Sequence, residues 1–140
     1  MQLSKNFHLR EFTKSQTASR KGITNVPNKD QIINLAGLCQ CVLQPVRDEF
    51  GVVTINSGYR CSELNTAIGG SKTSQHMKGQ AADIECPAVD NASLAKWIRE
   101  NCDFDQLILE YHTPDDPHSG WVHVSYRDVG SNRNQFLTIS

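Results

Sequence analysis

Apolar residues recur at alternating spacings of three and four through NKDQIINLAGLCQCVLQPVRDEFG, residues 28–51, at Ile32, Leu35, Ala36, Cys39, Val42, Leu43, Val46 and Phe50. That period predicts an amphipathic helix. Asn28 and Gln31 stand at the spacing of a capping box, and Gly51 supplies a stop. Pro45 has no N–H to offer the carbonyl of Cys41, so a kink or a weakened last turn is expected there. The β-branched stretch VVTINSGY, residues 52–59, predicts a strand, and NASLAKWIRE, opening at Asn91, a second helix.

Three further short segments, each bounded by turn residues, read as strands: AADIE (81–85), DQLILEY (105–111) and WVHVSY (121–126). Their two-residue period puts Ala81, Asp83 and Glu85 on one face of the first. It groups Gln106, Ile108 and Glu110 on the second, and Trp121, His123 and Ser125 on the third. The connection HTPDDPHSG, residues 112–120, is rich in Pro, Asp and Gly, which predicts an exposed loop joining antiparallel neighbours. From such a loop His118 can fold back over the end of the sheet. The expected fold is α+β: a single domain over residues 1–140, with a small antiparallel sheet flanked by helices.

Composition narrows the classes of function. A chain of 140 residues, 38% hydrophobic, suits one globular domain and buries roughly 68% of its unfolded surface. Its 14 Lys and Arg against 15 Asp and Glu leave no cationic excess to displace counterions from phosphates, so no nucleic-acid partner is expected. In MQLSKNFHLREF the charged and polar positions interrupt any apolar run, so neither a signal peptide nor a membrane span is expected, and synthesis in a cytoplasm is. The five cysteines, Cys39, Cys41, Cys61, Cys86 and Cys102, are odd in number and lack a CxxC pair, which predicts reduced, inert side chains rather than disulfides or a zinc ribbon.

The sharpest chemical pattern lies in SQHMKGQAADIE, where His76, Gly79, Ala81 and Asp83 follow the spacing H-x-x-G-x-A-x-D. An imidazole and a carboxylate are ordinary zinc ligands, and a catalytic zinc takes three protein ligands while leaving a position for water. Gly79 lets the chain turn between the two, and His123 of WVHVSY supplies a third donor. The metal set predicted from the residues is therefore His76, Asp83 and His123, with Zn2+ as the cofactor.

The segments NFHLREF, SGYRCSELN, SQHMKGQAADIE, FDQLILEY and GWVHVSYR occur in this order over residues 6–127. Together they resemble the zinc D-alanyl-D-alanine carboxypeptidases and phage peptidoglycan endopeptidases of the hedgehog-type fold. The resemblance implies that His76, Asp83 and His123 match the zinc ligands, and that Arg60 of SGYR matches an arginine contacting the substrate or its oxyanion. A guanidinium suits either role, because its fixed donors grip a carboxylate or stabilise developing negative charge.

Relatives that use a carboxylate base often carry Glu three residues before the last zinc histidine, where this chain has Gly120. Two residues remain as general base. Glu110 matches an acidic position of phage-type relatives, and His118 stands five residues before His123, where some carboxypeptidase relatives place a catalytic histidine. Glu110 is the favoured one. The expected function is zinc-dependent hydrolysis of an amide bond in peptidoglycan peptides by a monomer, acting on the cell wall after release or as part of a virion. The alternative is a zinc-containing binding module of the same fold without turnover, as in hedgehog signalling domains.

Overall fold

The computed structural model describes all residues, 1–140. The predicted long helix forms, in three parts. Helix α3 (Lys29–Leu38) opens with a capping box in which Asn28 accepts from the Gln31 N–H and the Gln31 side chain returns to the Asn28 N–H. A π-helical turn follows over Cys39–Leu43, and α4 (Gln44–Phe50) completes the run. Pro45 is the physical reason for the interruption. The lost bond to Cys41 is absorbed one turn earlier, where the Gln44 N–H reaches back to the carbonyl of Cys39, and the helix widens instead of breaking. The apolar stripe survives, with Leu35, Leu38, Cys39, Val42, Leu43 and Val46 all fully buried.

Ahead of this run, β1 (Gln2–Ser4) and β2 (Phe7–His8) form a small antiparallel pair, followed by the short helices α1 (Arg10–Thr13) and α2 (Gln16–Lys21). The main sheet has five strands in the order β3-β4-β6-β5-β7: β3 (Thr54–Ser57), β4 (Ala81–Glu85), β5 (Gln106–Glu110), β6 (Trp121–Ser125) and β7 (Gln135–Ile139). Helix α5 (Ser62–Ala67) and a 3₁₀ turn over Gln75–Lys78 lie between β3 and β4, and α6 (Asn91–Asn101) follows β4. The α+β class is as expected, and β5 and β6 are antiparallel neighbours. The main sheet is mixed rather than purely antiparallel, because β7 pairs with β5 in parallel. No helix is long and apolar enough to cross a membrane.

The pleat sorts the side chains. Ala82, Ile84, Leu107, Val122 and Val124 enter one core with the buried residues of α3, α4 and α6. The alternate positions, which include Asp83, His123 and Glu110, necessarily face the other side. Helices cover the first face, and the second is left to carry polar groups.

The parallel strand is explained by Asp105, just before β5. Its side chain is fully buried and takes four donors: the N–H of Arg133 (3.1 Å), Arg133 Nε (3.1 Å), Arg133 Nη2 (2.8 Å) and Gln75 Nε2 (3.0 Å). The Asp105 carbonyl also accepts the Gln135 N–H, which sets the register of β7 beside β5. The segment NRNQFLTIS lacks clean alternation, so this strand was not legible as a local pattern. A buried carboxylate that can be neutralised only by a residue far along the chain decides its position.

Burial alone would raise the pKa of Asp105. Hydrogen bonds from Arg133 and Gln75, with the charge of Arg133, outweigh burial and hold the carboxyl below its ordinary value. A group whose folded pKa is depressed stabilises the fold above its unfolded pKa, about 3.9, and loses that contribution as pH falls through the folded value. Asp105→Asn in metal-free protein is therefore expected to lower unfolding free energy at pH 7 by about 3 kcal/mol, the low end for breaking a buried pair because Arg133 is half-exposed. The gap to wild type should narrow below about pH 4. Urea melts at pH 7 and pH 3 measure both.

Candidate metal centre

Register brings the predicted ligands together. Asp83 on β4 is paired with His123 on β6, and His123 in turn with Ile108 on β5. His123 Nδ1 lies 2.9 Å from Asp83 Oδ1. His76 arrives from the 3₁₀ turn, with its Nε2 3.4 Å from the same oxygen. Ligand atoms of all three residues lie within 4.8 Å of one another.

The turn carrying His76 is held from three sides. The α3 side chains of Gln31 and Asn34 donate to the carbonyls of Met77 (3.0 Å) and Lys78 (2.8 Å). Gly79 closes the turn with a φ of +72°, and a side chain there would collide with the carbonyl oxygen of Gln31. This is the tight turn that the H-x-x-G spacing predicts. On the third side, the Arg60 N–H bonds the His76 carbonyl (3.1 Å), and His76 Nδ1 lies 2.7 Å from the carbonyl of Gly58. A carbonyl only accepts, so Nδ1 carries the proton and Nε2 keeps its lone pair towards Asp83.

The donor set fits Zn2+. It offers two imidazole nitrogens and one carboxylate oxygen, and four-coordinate zinc with bonds of about 2.0–2.1 Å sets its ligand atoms roughly 3.4 Å apart. Burial alone would raise the Asp83 carboxyl. The polar contact with His123 and the nearby ring of His76 outweigh burial and hold it well below the usual carboxylate range, so it presents an anion.

The cluster opens into a cavity of about 480 Å³ that Arg60, Gln106, Glu110, Trp121 and Arg133 also line. Glu110 sits opposite Trp121 in the β5–β6 register, and Trp121 Nε1 donates to its Oε2 at 3.0 Å. One carboxylate oxygen is thus anchored, and the other makes no hydrogen bond within the protein. Burial works against the charge of Arg60 and lowers its pKa, while Asp83 and Glu110 oppose that shift. Its Nε is buried with no hydrogen-bond partner in the protein. Such an unpaired donor costs free energy unless something else meets it.

The structure does not bring His118 to this cavity. His118 is exposed, and its N–H turns back to Asp116 within the loop. The loop is fastened to the start of α6 instead: the buried Asn91 takes the Pro117 carbonyl on its N–H and donates its side-chain amide to the carbonyls of Ser119 and Gly120. These anchors on either side of His118 keep the loop from folding over the sheet, a long-range constraint with no local mark.

Gly120 has a φ of +69°, and a Cβ there would strike the backbone of Glu110 and Tyr111. Position 120 is thus closed to any side chain, and the acidic Glu110 stands on the neighbouring strand. Trp121 shares the His123 face as the alternation predicts, but its indole N–H bond to Glu110 is not foreseen, and Arg133, which reaches the cavity through its pairing with Asp105, is not foreseen at all. The cross-strand pairing of Glu110 with Trp121 was a usable signal for the first, and the second had none.

Purified protein is expected to hold about one zinc per chain, and His123→Ala to lose most of it, because two remaining ligands compete poorly with water and buffer. Elemental analysis after gel filtration measures this. Full occupancy in that variant removes His123 from the metal set.

Comparison with known proteins agrees with this geometry. The family model described as Peptidase M15 matches residues 5–125, which include His76, Asp83, His123, Arg60 and Glu110. The zinc D-Ala-D-Ala carboxypeptidase of Streptomyces albus G is 34% identical over 68 residues, a match that covers 47% of this chain and 26% of that relative. The chain thus corresponds to about a quarter of that relative's length. With its family model matched over most of its length, the chain belongs to the peptidase M15 family.

Proposed function

We propose that this protein is a zinc peptidase hydrolysing an amide bond in the peptides of bacterial peptidoglycan. The observation that carries the reading is a carboxylate, Glu110, anchored by Trp121 on the strand beside His123 and lining the same cavity as the His76–Asp83–His123 cluster and Arg60. His76, Asp83 and His123 would hold the zinc, which would supply Lewis acidity for activating water and polarising a carbonyl. The free oxygen of Glu110 accepts the proton of the attacking water and passes it to the leaving amine. The indole N–H bond fixes the carboxylate plane, so little reorganisation accompanies the transfer. Arg60, which lines the same cavity, meets the charge that develops on the carbonyl oxygen with its guanidinium.

Peptidoglycan as substrate is supported by the likeness to the Streptomyces carboxypeptidase and by the order of motifs, which resembles that of phage endopeptidases. An enzyme with this substrate works at the cell wall, reached after lysis releases it or aboard a virion. The glycine at position 120 does not favour the non-catalytic reading, since backbone contact closes that position and Glu110 occupies the neighbouring strand.

Incubation with purified peptidoglycan is expected to release new amino groups, and a zinc chelator to abolish the release. Mass analysis of the fragments identifies the bond. Zinc binding without release supports the binding module instead. Glu110→Gln should keep zinc and lose about 10²- to 10⁴-fold in kcat, whereas His118→Ala should stay near wild type. Near wild-type kcat in a zinc-loaded Glu110→Gln protein removes Glu110 from the mechanism.

Thiol reagents should leave turnover largely intact. Burial pushes the Cys86 and Cys102 thiols up to about 11 and Cys39 further, so none of the three is a thiolate at neutral pH. Loss of turnover after modification of one cysteine, with zinc retained, revives a nucleophilic thiol.

A further inference from the structure

The cleft has two ends, and the reaction described above uses one. Gln106, Ile108 and Glu110 share the open face of β5, and the metal ligands lie across from Ile108. Glu110 marks one end. Gln106 lies two residues the other way along the strand, about 6–7 Å from the ligand row at about 3.3 Å per residue. Arg133 lines the cavity together with Gln106, Ser71 and Thr73. It comes from the segment after β6, outside the residues that the family model matches.

This arginine is held unlike an ordinary surface cation. Two of its donors, Nε and Nη2, grip the two oxygens of the fully buried Asp105, whose other contacts are the Arg133 N–H and Gln75 Nε2. The guanidinium plane is therefore set before any ligand arrives. The side chain is 52% exposed, and its Nη1 edge makes no hydrogen bond within the protein. Of five guanidinium donors, three remain in a fixed planar fork. That geometry matches a carboxylate, which takes two parallel N–H bonds from such an edge.

We propose that Arg133 forms a carboxylate subsite at the Gln106 end of the cleft and makes the enzyme specific for substrates carrying a free carboxylate about two residues from the scissile bond. The proposal rests on the peptidase reading for what lies at the metal. The distance follows from reach, since an extended peptide advances about 3.3–3.6 Å per residue and the offset from the ligand row to Gln106 is about twice that. The carboxylate belongs to a chain terminus or to an acidic side chain, and both present the same group to the fork.

The test uses zinc-loaded Glu110→Gln protein, whose turnover is slowed at least about a hundredfold, and acetyl-alanyl-D-alanyl-D-glutamate in three forms: free acid, α-carboxamide and side-chain carboxamide. Calorimetry is expected to show one amidation weakening binding about ten- to a hundredfold, the scale of a charged hydrogen-bonded contact. The form that suffers identifies the source of the carboxylate. With Arg133→Gln added, the free acid should bind as weakly as that amide. Arg133→Lys keeps an ion pair with Asp105 but lacks the fork, so it should fold and also lose the discrimination.

Equal binding of all three forms, no binding of any form, or discrimination that survives in both Arg133 variants overturns the subsite. Peptidoglycan turnover by wild type is scored separately. Arg133-dependent binding without turnover leaves the subsite standing and defeats the peptidase reading, and turnover without Arg133 dependence does the reverse.

Discussion

The pairing of β4 with β6 is the constraint on which the site depends. Asp83 stands opposite His123 because Ala82 and Ile84 on one strand, and Val122 and Val124 on the other, are buried together beneath the helices. A slip of one residue in either strand would turn its two apolar side chains to the open face and drive its metal ligand, a carboxylate on β4 or an imidazole on β6, into the core. The free energy of burying the apolar set therefore holds two of the three metal ligands in register. The third ligand, His76, depends on a different device: a short turn clamped between α3 and the end of β3, with its ring proton committed to the Gly58 carbonyl.

Backbone crowding shapes the chemistry as much as side chains do. Gly79 and Gly120 both adopt positive φ, and both lie where a Cβ would meet a carbonyl of a neighbouring segment. At Gly79 the crowding lets the histidine turn sit against α3. At Gly120 it brings the loop end against β5, so no acidic side chain can project from that position. Glu110 stands on the strand that crowds it out, with its carboxylate oriented by Trp121.

Charge in the cleft is arranged around buried groups with unequal satisfaction. Asp105 has four donors and stays anionic, and this fixes both the C-terminal strand and Arg133. Arg60 is the opposite case, a partly buried cation with an unpaired Nε and two carboxylates near enough to sustain its charge. A fully satisfied network rigidifies its surroundings, whereas a buried donor left unpaired carries a free-energy cost.

Much of this was local enough to read from the chain. The capping box at Asn28, the apolar stripe through Val46, the two-residue period that put Asp83 and His123 on faces opposite their apolar neighbours, and the glycine turn after His76 are each dictated within a few residues. The consequence of Pro45 was legible as a perturbation but not as a π-helical turn, since packing against the sheet decides whether a helix bends or widens. Contacts between distant segments decided the rest. Asn91 holds the loop of His118 away from the cleft, and the Glu110 backbone closes position 120. Asp105 draws Arg133 and a parallel fifth strand into the site. The difference is physical: periodicity and turn chemistry act over one or two turns of chain, whereas satisfying a buried polar group takes whichever partner the tertiary fold brings within about 3 Å.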